Sequence, residues 1–158
     1  VALRRLAPAD ELQLLGRIGP FYRILGELDL AEGYPRRAVE LARATADVKA
    51  EVLSKLRLAH VLEWRGRFPE ADSMYLDCLA MCEVEPALGP CLRACCRHYG
   101  KSLFEQGRHQ EAAVQFKRAL GLRRKTGDAG LTAWSELALE AVEARLGTGY
   151  PVDAISSL

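Results

Sequence analysis

Hydrophobic positions recur along this chain at helical spacing, and the amphipathic stretches are separated by short polar segments carrying glycine or proline. The pattern predicts helices over about 10–32, 35–46, 48–65, 69–82, 90–106, 109–125 and 130–146, then a stub at about 151–157. Pro20 either divides the first helix or marks a helix start, because its ring leaves no amide hydrogen to donate. Asp47 is placed to cap the third helix, its carboxylate accepting a free first-turn N–H. The stretch from Glu83 to Pro90 holds two prolines and a glycine and reads as the one clear loop.

One segment recurs in a fixed frame. Gly33-Tyr34-Pro35-Arg36-Arg37-Ala38, Gly66-Arg67-Phe68-Pro69-Glu70-Ala71, Gly107-Arg108-His109-Gln110-Glu111-Ala112 and Gly149-Tyr150-Pro151-Val152-Asp153-Ala154 each have glycine, then alanine at the fifth position after it. The interval from Gly33 to Gly66 is shorter than the two that follow, which are nearly equal. Each segment reads as a helix–turn–helix. Glycine just past a helix end accepts the left-handed conformation, and proline fits the start of the next helix, where its missing N–H is harmless. The small alanine then allows the second helix to approach the first closely.

These residues resemble the tetratricopeptide repeat family, whose pattern runs aromatic-x2-Leu-Gly-x2-Tyr, then Ala-x3-Phe, then Pro. The third unit fits best, with Cys96, Tyr99, Gly100, Leu103, Ala112 and Phe116; the second reads Lys55, Leu58, Ala59, Leu62, Ala71 and Tyr75. The first is degenerate (Tyr22, Leu25, Gly26, Asp29, Ala38, Ala42), and the fourth keeps only Gly149 and Ala154. The terminal proline is absent throughout. The resemblance implies an all-α fold, a right-handed α-α superhelix (a TPR-like solenoid) of about four helical hairpins with incomplete ends. Residues 1–158 are thereby expected to form a single helical-repeat domain, a fragment of a longer array. The later units, longer than the usual tetratricopeptide period, are similar to the longer-helix variants of bacterial regulators and adaptor proteins.

Composition sharpens this picture. Leu and Ala dominate, Asn is absent, and β-branched residues are sparse, which favours helices throughout. With 22 Lys and Arg against 21 Asp and Glu the net charge is +1, so nothing marks a general nucleic-acid binder. No apolar run approaches the roughly 20 residues of a membrane span, and the N-terminal apolar stretch is too short for a signal peptide. A cytoplasmic setting is the expectation. The odd cysteine set, Cys78, Cys82, Cys91, Cys95 and Cys96, argues against a disulfide framework. Without a CxxC pair these thiols read as small core residues. A zinc or redox sensor built on them and His98 is the weaker alternative.

No phosphate loop, nucleophile elbow or HExxH is present, and the carboxylates are scattered as on solvated helix faces; no enzyme and no cofactor is expected. Trp134 and His109 read as packing residues, and Arg36, Arg37 and the Arg123-Arg124-Lys125 run as solvated helix-end charges. The family resemblance places the first helix of each hairpin along a concave groove. It implies a protein-interaction scaffold that binds a partner peptide or helix there. The groove positions carried over are Arg23 and Glu27, then His60, Glu63 and Trp64, then Arg97, Lys101 and Phe104, and finally Glu143. Arg97 and Lys101, one helical turn apart, suggest a partner of acidic character, met by charge-assisted hydrogen bonds. The chaperone-tail clamp of some family members uses Lys and Asn, and this chain has no Asn. The rival reading is self-assembly, a homodimer docked through incomplete repeat ends.

Overall fold

The computed structural model of the chain describes residues 6–125 and 129–147. They form seven α-helices: α1 (Pro8–Ile24), α2 (Leu28–Ala44), α3 (Val48–Trp64), α4 (Phe68–Val84), α5 (Gly89–Glu105), α6 (His109–Arg124) and α7 (Ala129–Leu146). A single 3-10 turn, Pro86–Leu88, joins α4 to α5. No strand occurs among the described residues. Two compact units emerge, residues 1–91 and residues 92–158.

In the first unit α1 packs on α2, α2 on α3 and α3 on α4, each helix turning back on the last. The turns share one chemistry. Gly66 follows α3 at φ +71°, its N–H reaches Glu63 O (2.8 Å), and the Arg67 N–H reaches back to Leu62 O (2.9 Å). This pair of bonds closes the orphan carbonyls at the helix end, and only glycine takes the left-handed position without strain. Positive-φ glycines recur at near-even intervals, at Gly26, Gly66, Gly107 and Gly147. Between α2 and α3 the same bonds form around Ala46, at φ +52°. Asp47 then caps α3 as expected, accepting from the Ala50 N–H at 2.9 Å.

The first hairpin differs from the sequence expectation. The hydrophobic pattern predicts one helix over 10–32, but α1 ends at Ile24 and the turn is Leu25-Gly26-Glu27. Gly33 lies inside α2. The frame is ambiguous in the sequence because Gly26 also has an alanine at the fifth position after it, Ala31, and Ala31 is fully buried. Pro20 neither splits nor starts a helix; α1 runs through it. At the far end a left-handed glycine stands at Gly147, and Gly149 and the stub expected at 151–157 lie outside the described residues. The loop expected from Glu83 to Pro90 shrinks to the 3-10 turn, because α4 continues to Val84 and α5 begins at Gly89.

Close approach inside each hairpin depends on a small residue facing a large one. In the second unit a Cβ added at Gly100 of α5 would stand 3.0 Å from the Phe116 ring of α6. In the first unit Gly19 of α1 faces Pro35 of α2 at 3.6 Å by the same measure. Ala59, Tyr75, Phe116 and Leu120 are all buried. Full burial of large apolar side chains contributes about 1.5–3 kcal/mol each.

Candidate functional site

In the first unit Trp64 closes α3 with its side chain 58% exposed. The Arg23 guanidinium, near the end of α1, lies over its ring at 4.8 Å from the centroid. Such a cation–π contact is worth about 0.5–1 kcal/mol at an exposed site, and it biases the ring's orientation. One turn back, His60 meets Tyr75 of α4 edge-on, with centroids 6.3 Å apart. Tyr75 is fully buried, and its hydroxyl donates to Glu63 Oε1 at 2.9 Å.

Beside this group α1, α2 and α3 enclose a cavity of about 40 Å³, bounded by Gly19, Pro20, Arg23, Pro35, Arg57 and His60. Arg57 is half-buried, and its guanidinium rests against Gly16, where an added Cβ would fall 3.0 Å from Nη1. Pro20 has no N–H, so the Gly16 carbonyl lacks its helical donor. Burial pushes the Arg57 guanidinium below its ordinary value, and no carboxylate offsets that effect. Among the described residues Arg57 has no ion pair and no side-chain hydrogen bond, and Arg23 has no ion pair.

The neighbouring cations of this unit are compensated. Glu32 of α2 accepts from Arg36 and, at 2.9 Å, from Arg67, and lies 3.3 Å from Arg65. Burial alone would raise the Glu32 carboxyl, but Arg36 and Arg67 hold it below its ordinary range. Asp29 takes Arg65 at 2.7 Å, Glu70 takes Arg67 at 2.6 Å, and Glu11 takes Arg37 at 2.7 Å.

The second unit treats its expected groove residues differently. Lys101 is paired with Glu105 one turn on. Arg97 Nη2 lies 2.7 Å from His98 Nε2. Phe104 packs on His109 with centroids 5.0 Å apart, so His109 is the packing residue expected of it. The sequence pattern predicts a solvated Arg123; instead it is 5% exposed and donates to Ser135 Oγ at 2.8 Å, across to α7. Its sequence neighbour Arg124 does reach solvent and meets Glu136 at 3.0 Å. The Trp134 side chain lies outside the described residues.

The structure thus gathers Arg23, His60, Glu63 and Trp64, and adds Arg57, which the sequence pattern does not single out. Two positions move. Glu27 lies at the start of α2 rather than on the first helix, because the turn is at Gly26. Glu143 faces Lys117 of α6 at 3.8 Å, and it occupies the register of buried Leu62 and Leu103 once the turn is taken at Gly147. All five cysteines are buried and unbridged, and Cys78 Sγ donates to Val52 O at 3.6 Å. Among the described residues no three His, Cys, Asp or Glu converge as metal ligands, so the zinc alternative lacks a ligand set there. Among them, too, no helix is long and apolar enough to cross a membrane.

Residues 49–125, from the first turn of α3 to the end of α6, match the family model described as tetratricopeptide repeat. The chain is 27% identical over 130 residues to tetratricopeptide repeat protein 29 of Trypanosoma brucei brucei, an alignment covering 82% of this chain. Residues 49–125 carry tetratricopeptide repeats. The chain spans 27% of the length of that trypanosome relative. The crystal structure of BtubC (BKLC) from P. vanneervenii shares the fold, with a TM-score of 0.80 at 17% identity, covering 98% of this chain and 64% of that one.

The tetratricopeptide pattern now reads cleanly through the first unit. Leu15-x2-Ile18-Gly19-x2-Tyr22 and Ala31-x3-Pro35 fill the slots held in α3 and α4 by Lys55, Leu58, Ala59, Leu62, Ala71 and Tyr75. Proline in the aromatic slot disguises this repeat. Tetratricopeptide repeats generally mediate protein–protein interaction, and proteins of the family are generally scaffolds rather than enzymes.

Proposed function

We propose that the chain is a protein-interaction scaffold whose first-unit face, carrying Arg23, His60 and Trp64, receives an extended or helical segment of a partner protein. The exposed Trp64 ring, with Arg23 over its face, carries this reading: tryptophan and arginine side chains recur as binding anchors. Arg97, Lys101 and Phe104 form the corresponding face of the second unit and contribute less, since Lys101 is internally paired. Glu63, tied to Tyr75, holds that buried ring beside His60. Glu27 and Glu143 stand outside the proposed contact set.

A displayed library of random peptides panned on the chain tests the reading, with calorimetry on the recovered sequences. Trp64→Ala should weaken binding at least tenfold, as hot-spot tryptophans do, with helical circular dichroism and melting temperature unchanged. Binders whose affinity ignores both Trp64→Ala and Arg23→Ala would place recognition elsewhere on the chain.

A further inference from the structure

We infer that the open side of the first hairpin, the face of α1 and α2 turned away from α3, is a homodimer interface in which α1 packs antiparallel on α1 of a second copy of this chain. The face is separate from the one carrying Arg23, His60 and Trp64, and the inference stands whether or not that one binds a peptide.

Gly16 meets Arg57 of α3, and Leu15 and Gly19 are buried, which marks the packed side of α1. Leu14, Ile18, Phe21 and Leu25 run down another side at alternating steps of four and three residues, the spacing of a coiled-coil seam. A stripe so spaced fits a second helix laid along it. Leu14, Phe21 and Leu25 are 44%, 66% and 72% exposed, and Leu6 and Ile24 beside them are 50% and 71% exposed. These five side chains offer on the order of 500 Å² of apolar surface, in the upper range for the largest patch of a monomer. Two copies face to face would cover about 1,000 Å², the lower bound of a specific interface.

The two halves of this face differ in shape, and the difference selects a second copy as the occupant. The N-terminal half is a groove of about 600 Å³ lined by Leu6, Glu11, Leu14, Ile18, Tyr34 and Arg37. The C-terminal half projects, with Phe21, Ile24 and Leu25 more exposed than Leu6 or Leu14. A twofold axis across α1 sets the projecting half of each copy against the groove of the other, as an isologous contact requires. In the antiparallel register Leu14 meets Leu25 of the second copy and Ile18 meets its Phe21, each layer being made twice. Arg17, on the flank, then stands level with the last turn of the second α1, where the helix dipole favours a cation. Within the groove Glu11 accepts from Arg37 at 2.7 Å, so that pair leaves no net charge to select an acidic or a basic partner.

Sedimentation velocity on the chain, from roughly 1 to 300 µM, spans the range in which an interface of this size dissociates. Wild type should pass from monomer to dimer across it. Leu14→Glu, Phe21→Glu and Leu25→Lys should each weaken association at least tenfold, with circular dichroism unchanged because the three side chains are exposed. Mixing Leu14→Glu with Leu25→Lys should restore association, because the antiparallel register sets the two new charges opposite each other in one layer and leaves the other layer apolar. Trp64→Ala should dimerise as wild type does, which separates this face from the peptide-binding one. A wild type that is monomeric throughout would give the face to a helix of another protein and end the proposal, as would dimers indifferent to Phe21→Glu and Leu25→Lys. A mixture no more associated than its components would overturn the antiparallel register. Should Leu14→Glu unfold, Leu14→Cys mixed with Leu25→Cys carries the register test: the two chains should form a disulfide-linked heterodimer in oxidising buffer, and its absence would overturn the register.

Discussion

The two units dispose of the charge on their basic residues in opposite ways. Counting back from the turns at Gly66 and Gly107 puts α3 and α5 in matching register. Lys101 then answers to His60, and Glu105 answers to Trp64. In the second unit the acid in that last slot neutralises the cation one turn before it. In the first unit the slot holds tryptophan, and Arg57 and Arg23 are without carboxylates among the described residues. Counting basic residues along a helix therefore says little about where an acidic partner would dock. The deciding fact is whether folding has already supplied each cation with its counter-charge.

The contrast between the units depends first on the framework behind Trp64. Tyr75→Ala should destabilise the chain by about 3–5 kcal/mol, because a fully buried ring leaves a cavity its neighbours cannot fill. Tyr75→Phe isolates the hydroxyl. It should cost about 1–3 kcal/mol, since the Glu63 carboxylate loses its donor. It should also weaken acidic peptides, because the Glu63 charge is relieved of one hydrogen-bond donor. Urea unfolding of the two variants separates packing from hydrogen bonding. A Tyr75→Phe protein as stable as wild type and unchanged in binding would show that Glu63 needs no anchor.

The compensated cations make the next prediction. Glu32→Gln should cost about 1.5–3 kcal/mol, as it removes charged acceptors from Arg36 and Arg67. The carboxyls of Glu32 and Glu51 are both held below their ordinary value of 4.5: burial raises each, and arginine and lysine neighbours outweigh it. A carboxyl with a lowered folded value gives stability that is fully present above its unfolded value and lost as pH falls through the folded one. The melting temperature should thus be level from neutral pH down towards 4.5 and decline below it. In Glu32→Gln and Glu51→Gln that acid decline should be shallower. An unchanged acid limb in both would assign it to other carboxylates.

Much of this architecture is legible in the residues, and the exceptions have definite causes. Glycine followed at the fifth position by alanine marks the turns at Gly66 and Gly107 correctly, because that pair satisfies both the left-handed turn and the close helix approach. Near the N-terminus two such pairs exist, Gly26 with Ala31 and Gly33 with Ala38, and local sequence cannot choose between them. Packing does: Pro35 must sit against Gly19, so the helix runs through Gly33. Arg123 misleads for another reason. A helix-end arginine is usually solvated, and only the arrival of Ser135 from α7 makes its burial visible. Arg57 shows the same limit from the other side. Its residue type is ordinary, and its meaning lies in the carboxylate that three helices fail to bring to it.

The mildest substitution separates the two units most cleanly. Glu105→Gln removes an exposed pair with Lys101, which contributes about 0–1 kcal/mol. Stability should barely move. The charge on Lys101, however, is then without its counter-ion, and the second unit's face comes to resemble the first in having an unanswered cation. If unanswered charge is what attracts an acidic segment, affinity for acidic peptides should rise severalfold, with a steeper dependence on salt because the new contact is solvent-exposed. Combining Glu105→Gln with Trp64→Ala asks whether the second unit can take over. Lys101 is exposed and the position one turn on holds no tryptophan, so recovery should be partial and should vanish at high salt. Full recovery at low salt that is lost at high salt would mean that net charge alone governs recognition, and the first unit's face would have no special standing.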